Sequence, residues 1–332
     1  NRSFYEATFR NLYALNNPIP RQSYPFAYPP LWAWTIYPFV QAVNPFADPY
    51  GFLFAIRVVP LAASLGIGFV LWRLLRCKPF ILTFWFLNLT VFSTNTIQFD
   101  MIPMLFMILA YYFYLERRYD VSAVLYGVGI AYKIFPVYHL PIFLWHLPNT
   151  TRKVRYLIIA VFIPLLVSLP YLLYDEYFWS SVVGTHSGRG LLWGFLPIAV
   201  FLLFSKFSSL GAKLTLERSI AFCYLLLYLT PFYWENLIMP QYSSWFIPYV
   251  LIDLSQSLNN YKLVSFNAYW ISETMRAHAP FIGDRVMAVS TQMASFLNAT
   301  FFMQVLSLIV MIVCYAKDVK ASFNRLNTLS TS

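Results

Sequence analysis

Apolar runs recur along this chain with only short polar stretches between them: 52–75, 79–96, 101–116, 154–174, 191–204, 219–234, 239–252 and 297–316. A helix that crosses a bilayer takes about 20 apolar residues and tolerates roughly 17. Several runs are shorter, so tilted or partial helices are expected among them. Charged residues make up 11% of the chain, against about 25% in soluble domains, and 59% of it is hydrophobic. A water-facing surface cannot be assembled from that mixture. An all-α polytopic membrane protein is therefore expected, because in hydrocarbon a helix satisfies its own backbone.

The stretch 121–147 is too long for one helix, and Lys133 and Pro136 interrupt it. It reads as two helices, 121–132 and 134–147, meeting at one membrane face. Residues 262–278 are only weakly apolar, but parity of crossings requires a span there. The sum is about eleven transmembrane segments. The organisation expected is an extracytoplasmic loop or cap with short helices over 1–51, a helical membrane domain over 52–320, and a cytoplasmic tail over 321–332. The three cysteines, Cys77, Cys223 and Cys314, have neither metal-ligand spacing nor the pattern of a disulfide framework.

Charge sets the orientation. Fifteen of the 23 basic residues fall on one predicted side, in groups such as Arg73–Lys78, Arg117–Arg118 and Arg152–Arg155. Five of the 13 acidic residues join them: Glu116, Asp120, Glu217, Asp253 and Asp318. That side thus carries the whole net charge of +10, and the opposite side is neutral. The positive-inside rule makes the first side cytoplasmic. The basic excess is then a topology signal that calls for no nucleic acid, with anionic lipid as its natural neighbour.

The neutral outer side collects ionisable and polar residues from at least six segments, among them Asp100, Lys133, His186, Arg189, Glu235 and Gln241. Ionisable groups at membrane depth are costly and line cavities or sites. Some of these side chains can instead snorkel to the interface. For Lys133 that explanation is weaker, since it stands at a broken helix where freed backbone groups already need polar company.

Several stretches resemble the GT-C membrane glycosyltransferases. They are "NTIQFDMIP" (95–103), "YYFYLERR" (111–118) and "LYGVGIAYKIFPVYHLPIFL" (125–144). Three more follow the same order: "FAYPPLWAW" (26–34), "GTHSGRG" (184–190) and "IMPQYSSWFIPYVL" (238–251). The pattern is similar to that shared by the GPI-anchor mannosyltransferase-I catalytic subunit and prokaryotic polyprenol-phosphate-mannose-dependent mannosyltransferases. It covers roughly residues 4 to 316 and implies a GT-C-like bundle whose first outer loop is partly helical.

The resemblance implies transfer of a sugar, mannose above all, from a polyprenyl-phosphate donor to a hydroxyl acceptor at the extracytoplasmic or lumenal face. In that family the acidic base sits in the first outer loop, and by its spacing it is expected before Asn1; Glu6 and Asp100 are the acidic candidates in the chain. Lys133, Arg189 and His186 suit the donor phosphate, because cationic donors stabilise charge on a leaving phosphate. Tyr28, Gln241, Tyr242 and Trp245 suit sugar hydroxyls and ring faces. Asp100 either orients the acceptor or pairs with Lys133, and Trp245 either meets sugar or belongs to an interfacial aromatic belt. The expected partners are the lipid-linked donor, a glycolipid or glycan acceptor and the bilayer. A small membrane partner subunit, and a divalent cation as cofactor, are left open. No Gly-rich phosphate loop and no metal-ligand motif occurs in the sequence. Two other readings remain at this stage: a transporter with Asp100 and Lys133 as a coupling pair, and a non-catalytic scaffold of the same architecture. The localisation expected is the plasma membrane of a prokaryote or the endoplasmic reticulum.

Overall fold

The computed structural model describes residues 29–43, 47–75, 79–87, 91, 99–175, 178, 182, 195–208, 214–228, 244–256, 260–283, 299–300, 302–315 and 317–318. Every regular element among these is helical. In chain order they are α1 (Leu31–Ala42), α2 (Pro49–Leu75), α3 (Pro79–Phe86), α4 (Met101–Leu115), α5 (Tyr119–Tyr132), a 3₁₀ turn (Phe135–Tyr138), α6 (Leu140–His146), α7 (Thr150–Tyr174), α8 (Leu196–Ser208), α9 (Leu216–Tyr228), α10 (Ile247–Gln256), α11 (Asn260–Gly283) and α12 (Phe302–Tyr315).

Two of these helices are long and apolar enough to cross a membrane, over Tyr50–Leu75 and Thr150–Tyr174. Only 17% of the apolar window in the second is buried. A core helix of a soluble protein would hide most of such a surface, so α7 presents its apolar side chains outward. Met101–Leu115 and Phe302–Tyr315 are shorter apolar helices. The eleven expected spans thus correspond, among the described residues, to two helices of spanning length and a set of shorter ones.

The chain divides into two compact units, one of residues 1–59 and 105–195, the other of 60–104 and 196–332. The first unit is built on α5 and α7, which run parallel. Ser122 meets Tyr156, Asp120 meets Arg155, and Gly127 lies on Ala160 and Ile163, so the partner's number rises with the residue's own along both helices. Gly127 is what lets the two backbones approach. A Cβ there would come within 2.8 Å of both the Ala160 carbonyl oxygen and the Ile163 Cβ. Gly127→Val should therefore destabilise the unit by about 1–3 kcal/mol, since overpacking outweighs any helix-propensity gain over glycine. A drop in the melting temperature of the detergent-purified protein checks this.

Ser122, buried inside the unit, is satisfied in place. Ser122 Oγ donates to the Ala110 carbonyl at 2.7 Å and lies 3.0 Å from the Tyr156 hydroxyl. Edge-to-face pairs among Tyr114, Tyr126, Phe143 and Tyr156 fill the space between α4, α5, α6 and α7, at centroid distances of 5.0–5.9 Å. In the second unit, Trp85 of α3 donates to the Ser64 carbonyl of α2 at 3.1 Å, and Tyr224 of α9 stacks on Phe246 at 4.5 Å.

The helix expected over 134–147 is instead the 3₁₀ turn followed by the seven-residue α6. Proline explains it. Pro136 and Pro141 each remove a backbone donor, and each fits the first turn of a helix but not its interior. The helix restarts at Leu140 with Pro141 in its first turn, where the missing N–H has no intrahelical partner to lose. At the other end of the scale, α7 begins four residues before its apolar run. Asn149 caps it, accepting from the Arg152 N–H at 2.9 Å.

Candidate functional site

Lys133 occupies the break itself. It follows α5 in an extended conformation, φ −156° and ψ 142°, with its N–H donating to the Gly129 carbonyl at 3.2 Å. Its side chain is buried, as is that of His139 after the turn. The turn is held by Tyr126, whose hydroxyl donates to the Pro136 carbonyl at 2.6 Å. The same carbonyl accepts from the His139 N–H at 2.9 Å, so the turn is tied both to its own backbone and to α5.

The neighbourhood of the break is aromatic. Ile134 packs with Phe178, Val182 and Tyr171, and Asp175 stands at the end of α7 between Tyr171 and Phe178 in sequence. α1 closes over this end. Trp34 Nε1 donates to the Tyr171 hydroxyl at 2.7 Å, and Thr35 Oγ1 lies 2.9 Å from the Tyr132 hydroxyl, next to Lys133. A buried lysine, an aspartate and three phenol or indole groups thus share one end of the first unit. The arginines of 117–118 and 152–155 stand at the start of α5 and α7, so they mark the opposite end. Over the 14 residues of α5, at 1.5 Å each, that is about 20 Å away.

In the second unit, Asp100 and Trp245 come together. Trp245 Nε1 donates to Asp100 Oδ1 at 2.7 Å across 145 residues of sequence, and both side chains are buried. Asp100 directly precedes α4, and its carbonyl accepts from the Met104 N–H at 3.2 Å. A short bond of this kind fixes the orientation of the carboxyl group. Ser244, beside Trp245, is buried too. Asp100 belongs to the second unit and Lys133 to the first, and each is placed here within its own unit.

Glu6, Tyr28, His186, Arg189, Gln241 and Tyr242 lie outside the described residues, as do residues 1–28 of the expected outer cap. Among the described residues, no group of three or more His, Cys, Asp and Glu side chains comes together as a metal site would require.

One cluster was not singled out in the sequence. Asp253 of α10 is fully buried and accepts from three groups: Arg218 Nε at 2.8 Å, Lys262 Nζ at 3.2 Å and the Tyr315 hydroxyl at 3.1 Å. Lys262 also pairs with Asp318 and lies 3.9 Å from the centre of the Tyr315 ring. Beside it, Gln256 Nε2 donates to Glu217 Oε1 at 2.5 Å. The cluster's charged members, Arg218, Lys262, Glu217, Asp253 and Asp318, are among those that the charge count assigns to the cytoplasmic side. Their spacing in sequence is irregular, so only the fold reveals that they tie α9, α10, α11 and α12 together. With each charge paired in a buried setting, the cluster has the make-up of a structural lock.

The model of one protein family, glycosyltransferase family 87, matches residues 26–236. No curated protein and no solved structure matches the chain. The matched stretch contains α1 to α9, the helix break with Lys133, and Asp100.

Proposed function

Because this chain belongs to glycosyltransferase family 87, we propose that it moves a sugar from a polyprenyl-phosphate donor to a hydroxyl acceptor at the membrane face where α5 ends. Family membership and the outward apolar surface of α7 make it a membrane glycosyltransferase. The finer reading rests on one observation above all. Lys133 is buried at a helix break, in an aromatic setting, at the end of α5 opposite the arginine-rich turns. The positive-inside rule gives those turns to the cytoplasm, which leaves Lys133 for the extracytoplasmic or lumenal face.

The chemistry follows from the donor. The acceptor hydroxyl attacks the anomeric carbon, the bond to the phosphate oxygen breaks, and the lipid phosphate leaves with its extra negative charge. Lys133 stabilises that charge as a point donor, and Arg189 supplies a two-pronged contact. His186 donates a further hydrogen bond to phosphate. A carboxylate takes the hydroxyl proton as general base; Glu6 and Asp100 are the acids of this chain available to the reading. Asp100, held by Trp245, suits a positioning part toward the acceptor. Tyr28, Gln241, Tyr242 and Trp245 meet the sugar. Mannose is the donor sugar proposed, and a glycolipid or glycan the acceptor.

The donor class is tested by incubating the purified protein with radiolabelled polyprenyl-phosphate mannose and, separately, with a nucleotide-activated mannose, each with a panel of glycolipid acceptors. Label should move only from the lipid phosphate. Transfer from the nucleotide sugar alone would overturn the proposal.

A further inference from the structure

Away from the helix break, the first unit holds a cavity of about 430 Å³ at the start of α5 and α7. Four arginines line it, Arg117, Arg118, Arg152 and Arg155, with Asp120 as the acid among them. Asp120 is already used: its Oδ2 accepts from Arg155 at 2.7 Å. The lining therefore keeps a surplus of positive charge, and the positive ends of two helix dipoles add to it.

A topology signal needs only that arginines be on one side of the membrane. Here they are also held in place. The Arg118 guanidinium lies over Phe113 at 5.0 Å, and that of Arg152 over Tyr119 at 5.2 Å. Arg117 is more telling. It has φ 59°, the left-handed conformation in which a residue other than glycine is strained. It ends α4 in a Schellman motif, with the Arg118 N–H donating to the Phe113 carbonyl at 2.9 Å and the Arg117 N–H to Tyr114 at 3.0 Å. Glycine is the usual residue at that position. An arginine there gives up stability, and the compensation visible is a guanidinium on the cavity wall.

We propose that this cavity binds the phosphate of an anionic membrane phospholipid. Arginine forks match phosphate oxygens two at a time. The lipid as source, in place of a soluble anion, is argued from what lies beside the arginines. Val154, Ile158 and Phe162 are 50%, 60% and 57% exposed, and they open the outward apolar face of α7 directly from Arg152 and Arg155. A phosphate in the cavity would thus have its acyl chains against that face. The site is separate from the sugar-transfer site and does not depend on it.

The test uses the full-length chain in detergent, with phosphatidylglycerol, phosphatidylcholine of the same acyl chains, and inorganic phosphate as probes, and retained lipid measured by native mass spectrometry. Phosphatidylglycerol should be retained over phosphatidylcholine, and millimolar inorganic phosphate should leave it in place. Arg117→Gly/Arg152→Gln should weaken retention roughly thirtyfold, from about 1 kcal/mol per basic residue at a membrane surface. Lys153→Gln/Lys317→Gln removes the same charge outside the cavity and should change little. Arg117→Gly alone relieves the left-handed strain, so its melting temperature should hold or rise while its lipid retention falls. Equal loss in both double variants, equal retention of phosphatidylcholine, or full displacement by inorganic phosphate would each overturn the proposal.

Discussion

Lys133→Met should lower sugar transfer by roughly 10- to 150-fold while leaving the protein folded. The change keeps an unbranched apolar stem of similar length and removes only the charge. Folding should survive because the break is held by other groups, namely the Tyr126 bond to the Pro136 carbonyl and the two prolines. The lost interaction is a charge-assisted bond to phosphate, worth about 1.5–3 kcal/mol. At about 1.4 kcal/mol per factor of ten, that gives the stated range in rate. The loss should fall on kcat/KM with the lipid-phosphate donor. A folded Lys133→Met protein that transfers sugar at the wild-type rate would reduce Lys133 to a structural counter-ion.

The second large effect belongs to the buried ion cluster. Asp253→Asn keeps the shape of the side chain but leaves Arg218 and Lys262 without their shared carboxylate; the Lys262 side chain is fully buried and that of Arg218 is 15% exposed. Removing one partner of a buried pair costs about 3–5 kcal/mol, because the remaining charge is stranded. A sharp fall in melting temperature, or loss of folded protein on purification, is expected. Adding Lys262→Met in the Asp253→Asn background should recover part of the loss, since it takes away a stranded charge. Additive destabilisation by the two changes would show instead that Lys262 acts mainly through Asp318 and the Tyr315 ring.

These two residues also show what could be read from the sequence. Lys133 stood out because a lysine inside an apolar run is expensive, and its place at the end of α5 was legible from Pro136 three residues on. The helix expected over 121–132 is α5, Tyr119–Tyr132, and that over 101–116 is α4, Met101–Leu115. Long apolar runs carry their own length signal. Polar first turns do not, and so α7 begins at Thr150 where the apolar run suggested 154. The break after Lys133 was visible, but its form was not, because two prolines five residues apart permit either a kinked helix or a turn and restart.

The pairing of Asp253 is not legible in the sequence for a different reason. Its partners Arg218, Lys262 and Tyr315 are 35, 9 and 62 residues away. In the sequence each is a charge or phenol near the end of an apolar run, which ordinary membrane topology already explains. The bond between Asp100 and Trp245 was hidden in the same way, 145 residues apart. Local pattern marks which residues are unusual; pairing at long range is decided by helix packing. Arg117 shows a third limit, since its left-handed conformation has no local sequence signal of the kind a glycine would give.

The most direct measurement is sugar transfer in sealed vesicles that hold the protein in one known orientation. Radiolabelled polyprenyl-phosphate mannose is supplied in the bilayer, and a water-soluble acceptor glycan is confined to one side at a time. The predicted result is labelled acceptor only when it shares the compartment of the Lys133 end of α5. Labelling of acceptor held on the side of Arg117 and Arg152 would contradict it, as would transfer that requires a nucleotide sugar in place of the lipid donor.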